Sequence, residues 1–165
     1  MSEENSLIVR KIENGTVIDH IPDGKALIIL ALLGIDGREE KPVSFVMHVP
    51  SKKLGKKDIV KVEDMFLERR ILDNLALVAP SATINIIKNY KIVKKLKIEI
   101  PKRLSGIIRC PNPNCVTNDG REPVTPTFTM EQRNPLIYKC DYCERLVKEE
   151  DIPKLLIHRG KPQPP

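Results

Sequence analysis

Tryptophan is absent from this 165-residue chain, and phenylalanine and tyrosine contribute only three residues each. The core must therefore come from Ile, Leu and Val. Stacking on aromatic side chains, a usual grip on single-stranded nucleic acid, has little to draw on. No apolar run approaches the ~18 residues that would suggest a membrane span. The opening Met-Ser-Glu-Glu-Asn lacks the basic-then-apolar pattern of a secretory signal, so a soluble, cytoplasmic protein is expected. Neither a Walker-type nor a Rossmann-type glycine loop is present. His20, His48 and His158 stand apart and belong to no hydrolase or metalloprotease motif. His48 falls near the end of an expected strand and reads as a satisfied structural histidine. With no activated nucleophile, acid/base pair or open metal in view, the chain reads as non-catalytic.

Cysteine is scarce but ordered. Cys110 and Cys115 bracket Cys-Pro-Asn-Pro-Asn-Cys, 24 residues follow, and Cys140 and Cys143 bracket Cys-Asp-Tyr-Cys. Two close pairs on tight turns, joined by a spacer long enough to fold back, make the pattern of a tetrahedral Cys₄ zinc site. Two disulfides are the alternative, disfavoured because a cytoplasmic setting keeps thiols reduced. Four protein ligands leave no position for water, so one structural Zn²⁺ per chain is expected.

The net charge is +6. Residues 1–100 carry 17 basic and 14 acidic side chains and residues 101–165 carry 11 and 8, an excess of three in each half. Such an even spread suits a small polyanion at least as well as a polynucleotide. The one concentration is Lys88, Lys91, Lys94, Lys95 and Lys97.

Leu7 to Ile12 reads as a short strand, and Gly15 as a turn before an alternating strand over Thr16–Ile21. Asp23 is the expected N-cap of a helix over Lys25–Leu33, with Gly34 at its C-terminal stop. That helix is apolar on nearly every side, which suggests burial on more than one face. Val43, Phe45, Met47 and Val49 share one side of a strand ended by Pro50. Lys57–Phe66 alternates, with Val60, Val62 and Phe66 opposite Lys57, Ile59, Lys61 and Met65. Leu67–Val78 carries a helical stripe, stopped by Pro80. Ala82–Ile98 is expected to be one long strand or a bent pair. The order is the βαββαβ of a ferredoxin-like fold, α+β in class, with one sheet face under two helices and the other free. Pro101 marks a linker into a small antiparallel β zinc-binding domain; residues 1–100 and 101–165 are the two expected domains. The closing Gly160–Pro165 reads as a tail. On the free sheet face Lys57, Lys61, Lys91 and Lys95 could hold phosphate. Pattern alone slightly favours an ordinary solvated lysine face.

At this point Gly15-Thr-Val-Ile-Asp-His-Ile-Pro22, Gly55-Lys-Lys-Asp-Ile-Val-Lys-Val-Glu63, Leu77-Val-Ala-Pro-Ser-Ala-Thr-Ile-Asn85, Asn89-Tyr90 and the two cysteine pairs, taken in order, resemble the regulatory chain of aspartate carbamoyltransferase. The resemblance implies a non-catalytic regulatory subunit in pyrimidine biosynthesis. Its N-terminal allosteric domain would bind ATP and CTP at one shared site, and its zinc domain would dock on a separate catalytic chain. By motif, Asp19 resembles the ribose-side ligand and Lys61 the lysine that reaches ribose and base. Asn85 and Lys95 resemble phosphate-side contacts, with Lys94 as the alternative to Lys95. His20 and Lys57 lie close by, and Ile12 and Tyr90 match positions whose backbone reads the base edge. Asn112, Asn114, Tyr142, Glu144 and Arg145, crowning the zinc loops, resemble the contact surface for the catalytic chain. Regulatory chains of the family pair as homodimers through their allosteric domains, for which the sheet edge and the apolar helix are candidates. A nucleic-acid-binding zinc-ribbon protein is the rival reading, disfavoured by the scarcity of aromatics.

Overall fold

The structure, a computed structural model, describes residues 10–157. The expected strand over Leu7–Ile12 lies largely outside these residues, as do His158 and the closing tail; the described part, Arg10–Ile12, is not strand. The chain divides into two compact units, Met1–Glu99 and Ile100–Pro165.

The first unit runs β1 (Gly15–Pro22), α1 (Ala26–Leu32), β2 (Val43–Ser51), β3 (Gly55–Glu63), α2 (Arg69–Val78), β4 (Thr83–Lys88) and β5 (Lys91–Lys97). Its sheet has the order β2-β3-β1-β4-β5 with every neighbour antiparallel, which is the ferredoxin-like βαββαβ extended by one edge strand. The long segment after Ala82 is therefore a hairpin. Asn89 and Tyr90 turn it with φ of 51° and 65°, the left-handed pair that a two-residue hairpin loop requires. One sheet face packs on the helices through Ile18, Val60, Val62 and Ile84, all at most 3% exposed, with Ile29, Leu75 and Leu77 from α1 and α2. Gly15 opens β1 where a Cβ would lie 2.2 Å from the Val62 carbonyl oxygen, so no other residue fits.

The two ends of α1 differ from one another in how they are closed. Gly34, at φ 74°, donates to the Ala31 carbonyl while Ile35 donates to the Leu30 carbonyl, the paired bonds of a Schellman stop. At the start, Asp23 does not cap the helix. The Ala26 N–H is instead accepted at 2.9 Å by Asp58 Oδ2, a fully buried carboxylate on β3. A cap supplied from 32 residues away leaves no local signal.

Three β-bulges in this first sheet depart from simple alternation. Between Ile18 and Ile21 β1 carries one extra residue against β3, and between Val46 and Val49 β2 does the same. Strand β2 also continues through Pro50, which pairs with Lys56, to Ser51. The third bulge lies on β5 opposite Ile86–Ile87 and turns Lys91 to pair with Lys88, on the other side of the sheet from Lys95. Phe66, expected on the same strand as Val60 and Val62 and in line with them, is 51% exposed beyond the end of β3, with the Lys88 ammonium 6.0 Å from its ring centroid.

The second unit is a four-stranded antiparallel sheet, β6 (Arg103–Ser105), β7 (Thr127–Gln132), β8 (Ile137–Cys140) and β9 (Leu146–Lys148), followed by one turn of helix, α3 (Ile152–Leu155). Leu104, Ile108, Phe128, Tyr138, Val147 and Ile152 form its apolar core. The Tyr138 hydroxyl donates to the Pro101 carbonyl, and burial pushes its pKa up.

Candidate functional site

The metal centre is built by two turns. In the first, the Cys115 N–H bonds the Asn112 carbonyl at 3.0 Å, and the Asn118 amide donates to the carbonyls of Cys110 and Asn112 at 2.9 and 2.7 Å. In the second, Glu144 adopts φ 63° and donates to the Cys140 carbonyl, while the Cys140 N–H bonds the Arg145 carbonyl, both at 2.9 Å. The four sulfurs converge within 4.8 Å of one another, with Cys110–Cys143 at 3.5 Å and Cys115–Cys140 at 3.9 Å. Zinc–sulfur bonds of ~2.3 Å imply tetrahedral edges of ~3.8 Å, so the donor set fits one Zn²⁺ and no disulfide is formed. Burial raises the Cys110 and Cys140 thiols. At Cys143 burial opposes ionisation, but hydrogen bonds from the Arg145 backbone, the Asn112 side chain and the neighbouring thiols outweigh it and bring the pKa to about 6. The Thr117 hydroxyl donates to Cys115 Sγ at 3.2 Å, a supporting contact that no spacing rule foretells.

Around this centre Asn114, Tyr142, Glu144 and Arg145 are exposed, whereas Asn112 is half-buried and its side-chain oxygen accepts the Asn114 N–H at 3.0 Å. Two apolar side chains beside them escaped the sequence reading: Val116 at 41% and Leu146 at 52% exposed.

On the first unit, the sheet face away from the helices brings most of the remaining expected residues together. Ser44, Lys61, Val17, Asn85 and Lys95 are successive partners across all five strands, so their side chains form one row. Lys94 pairs with Ile86, which puts it on the helix side. Next to the row the Lys57 ammonium lies 2.9 Å from Asp19 Oδ1, and His20 Nδ1 lies 3.0 Å from the Thr83 hydroxyl. Asn85 Oδ1 is buried without a hydrogen-bond partner among the described residues, and Asp19 Oδ1 receives no well-directed hydrogen bond despite its ion pair. Burial lowers the Lys61 pKa, opposed by Asp19 and reinforced by Lys11. Lys61 Nζ also donates to the Arg10 carbonyl at 3.3 Å.

The segment 10–14 borders this face. Ile12 is buried, the Tyr90 N–H is accepted by the Glu13 carbonyl at 3.0 Å, and Tyr90 itself is 58% exposed. Lys91, by contrast, is removed from the face by the bulge. The face gains Val17 and Ile92, signalled only once the register is known.

Comparison with known proteins agrees with both units. The family model described as the aspartate carbamoyltransferase regulatory chain, allosteric domain, matches residues 7–99, and that described as its metal binding domain matches residues 102–153. Among curated relatives, the aspartate carbamoyltransferase regulatory chain of Thermofilum pendens is 55% identical over 93% of this chain and 97% of its own length. That of Korarchaeum cryptofilum is 55% identical over 92% and 96%, and that of Hyperthermus butylicus 51% identical over 97% and 100%. With a four-cysteine zinc centre in one unit and a ferredoxin-like sheet in the other, each matched in order, the chain belongs to the family of aspartate carbamoyltransferase regulatory chains.

Proposed function

We propose that the chain is a non-catalytic, cytoplasmic regulatory subunit that binds ATP and CTP on the free sheet face of its first domain, residues 1–100. It would pass the effect through its zinc domain, residues 101–165, to a separate catalytic chain in pyrimidine biosynthesis. The observation that carries the reading is the row Lys61–Val17–Asn85–Lys95 with the Asp19–Lys57 pair beside it. Two lysines in the row complement a triphosphate. A carboxylate would repel phosphate but accepts two hydrogen bonds from ribose hydroxyls, so Asp19 marks the sugar end and Lys95 the phosphate end. The buried oxygens of Asp19 and Asn85 lack hydrogen bonds that a ligand can supply. Ile12 and Tyr90 border the base, with Tyr90 offering its carbonyl, and His20 flanks the ribose.

The docking surface proposed for the catalytic chain is the loop crown Asn112, Asn114, Tyr142, Glu144 and Arg145, joined by Val116 and Leu146. Loops held by a metal have little ordering entropy left to lose on binding. A homodimer of regulatory chains would use the first unit, where β2 is an edge strand and Leu27 on α1 is 59% exposed. No helix among the described residues is long and apolar enough to cross a membrane.

Nucleotide can change catalysis only if it binds two quaternary states unequally, with a coupling of ~1–3 kcal/mol typical. Co-expression with a catalytic chain and a carbamoyl-transfer assay with and without ATP and CTP tests this. A nucleotide response that disappears when the regulatory chain is omitted is expected; equal rates in both cases refute it.

A further inference from the structure

We propose that Asp23, His48 and Asp58 form a second metal site, separate from the four cysteines, that takes one divalent transition-metal ion of the zinc class. The three side chains come from separate segments: the turn after β1, the bulge in β2 and the middle of β3. One donor atom of each lies within 4.8 Å of the others. The bulge makes this possible, because the extra residue in β2 holds His48 at φ 61° with its N–H on Asp58 Oδ1 at 3.0 Å and its ring against the Asp23 carboxylate.

Charge is the independent argument. Asp58 is fully buried, and among the described residues no lysine, arginine or histidine is ion-paired with it. Among the described residues its oxygens accept the backbone N–H groups of Ala26 and His48, one each, and each oxygen has a second lone pair. Asp23 adds a second carboxylate, paired with the imidazole of His48. Two carboxylates to one imidazole make an acidic donor set around a buried oxygen pair, a charge balance that a bound cation would complete.

The donor set selects the ion. Imidazole with two carboxylates suits Zn²⁺, Ni²⁺, Co²⁺ or Mn²⁺ better than Mg²⁺ or Ca²⁺, which take oxygen ligands alone. Metal–ligand distances of ~2.0–2.2 Å put tetrahedral donors ~3.4 Å apart. Asp23 and His48, 43% and 58% exposed at their side chains, are free to adjust to that spacing, their own contact opening as both turn toward the ion, whereas Asp58 is held by its two N–H bonds. Bound there, the ion ties the turn before α1 and the edge strand β2 to β3.

Untagged full-length chain, with its cysteine site filled with zinc, is titrated with Ni²⁺ by calorimetry while zinc content is followed in the same samples. One additional Ni²⁺ per chain without loss of zinc is expected. His48→Ala and Asp23→Asn, both at exposed positions, each weaken that binding at least tenfold, and His20→Ala leaves it unchanged. Mn²⁺ broadens the amide resonances of His48, Asp58 and Ala26 before those of Cys110–Cys143. Absence of a second ion, uptake matched by zinc release, normal binding by both variants, or loss of binding in His20→Ala overturns the assignment.

Discussion

The two units of this chain solve the problem of stability by different means. The first closes a five-stranded sheet with two helices, and its core is aliphatic: Ile18, Ile21, Ile29, Val60, Leu75, Leu77 and Ile84. The second is smaller, Ile100–Pro165, and two of its four strands have three residues each. Strands that short do not hold themselves together, and a domain below ~70 residues usually needs a staple. Four sulfurs supply it. The proposed nucleotide surface would thus rest on a packed sheet, and the proposed docking surface on turns fixed by metal.

The sharpest way to break that comparison is to remove the staple. Cys140→Ala, or a strong chelator, should unfold residues from about 105 onward while the first unit keeps its structure. Forming a structural zinc site contributes ~10–16 kcal/mol in small metal-dependent peptides, far more than a short-stranded sheet can replace. Amide resonances report both halves at once. A second unit that stays folded without zinc, or a first unit that unfolds with it, refutes the division.

The reciprocal experiment acts on the aliphatic core. Leu75→Ala empties a fully buried position in α2 and should destabilise the first unit by ~2–5 kcal/mol, with zinc content per chain unchanged. Chemical denaturation followed separately in each half reads the result. Equal losses in both halves would mean that the units do not unfold independently.

What was legible in the sequence divides along the same line. The metal centre could be read from spacing, since two cysteine pairs on tight turns specify their own geometry. The order of helices and strands could be read from periodicity and from stops such as Gly34 and Pro80. The bulges could not: each inserts one residue and reverses the alternation that the reading depends on. Lys91 was consequently assigned to the wrong face, whereas Lys95, beyond the bulge, kept its place because Asn85 is its partner. The Asp58 cap was hidden for another reason, because it is a contact between elements distant in sequence.

Register also sharpens the choice between neighbouring lysines. Lys95 stands in the row with Asn85 and Lys61, while Lys94 pairs with Ile86 on the helix side. Hydrogen bonds to charged groups contribute ~1.5–3 kcal/mol, so Lys95→Ala should weaken CTP binding roughly ten- to a hundredfold. Lys94→Ala should change it less than about twofold, the size of a screened charge effect. Calorimetry with CTP and with cytidine separates the contributions: the Lys95 effect should be large for the triphosphate and small for the nucleoside. The reverse ranking of the two lysines would place the phosphates on the opposite face.

The smallest effect concerns stability without ligand. Lys61 has its pKa lowered first by burial, with Asp19 opposing and Lys11 reinforcing the shift. A lysine whose folded pKa lies below the unfolded value of ~10.4 destabilises the fold while it is charged. That penalty is full below the folded pKa and is relieved as pH rises through it toward the unfolded value. Lys61→Met, which keeps much of the chain's bulk and removes the charge, should therefore raise the melting temperature of the nucleotide-free protein by no more than a few degrees at pH 7. The gap between variant and wild type should shrink as the pH climbs toward 10, and CTP binding should weaken at every pH. Opposing this is the bond from Lys61 Nζ to the Arg10 carbonyl at 3.3 Å, a long contact to an exposed segment and so a weak one. If Lys61→Met melts lower than wild type at pH 7, that bond and the Asp19 attraction outweigh burial, and Lys61 is a structural residue before it is a binding one.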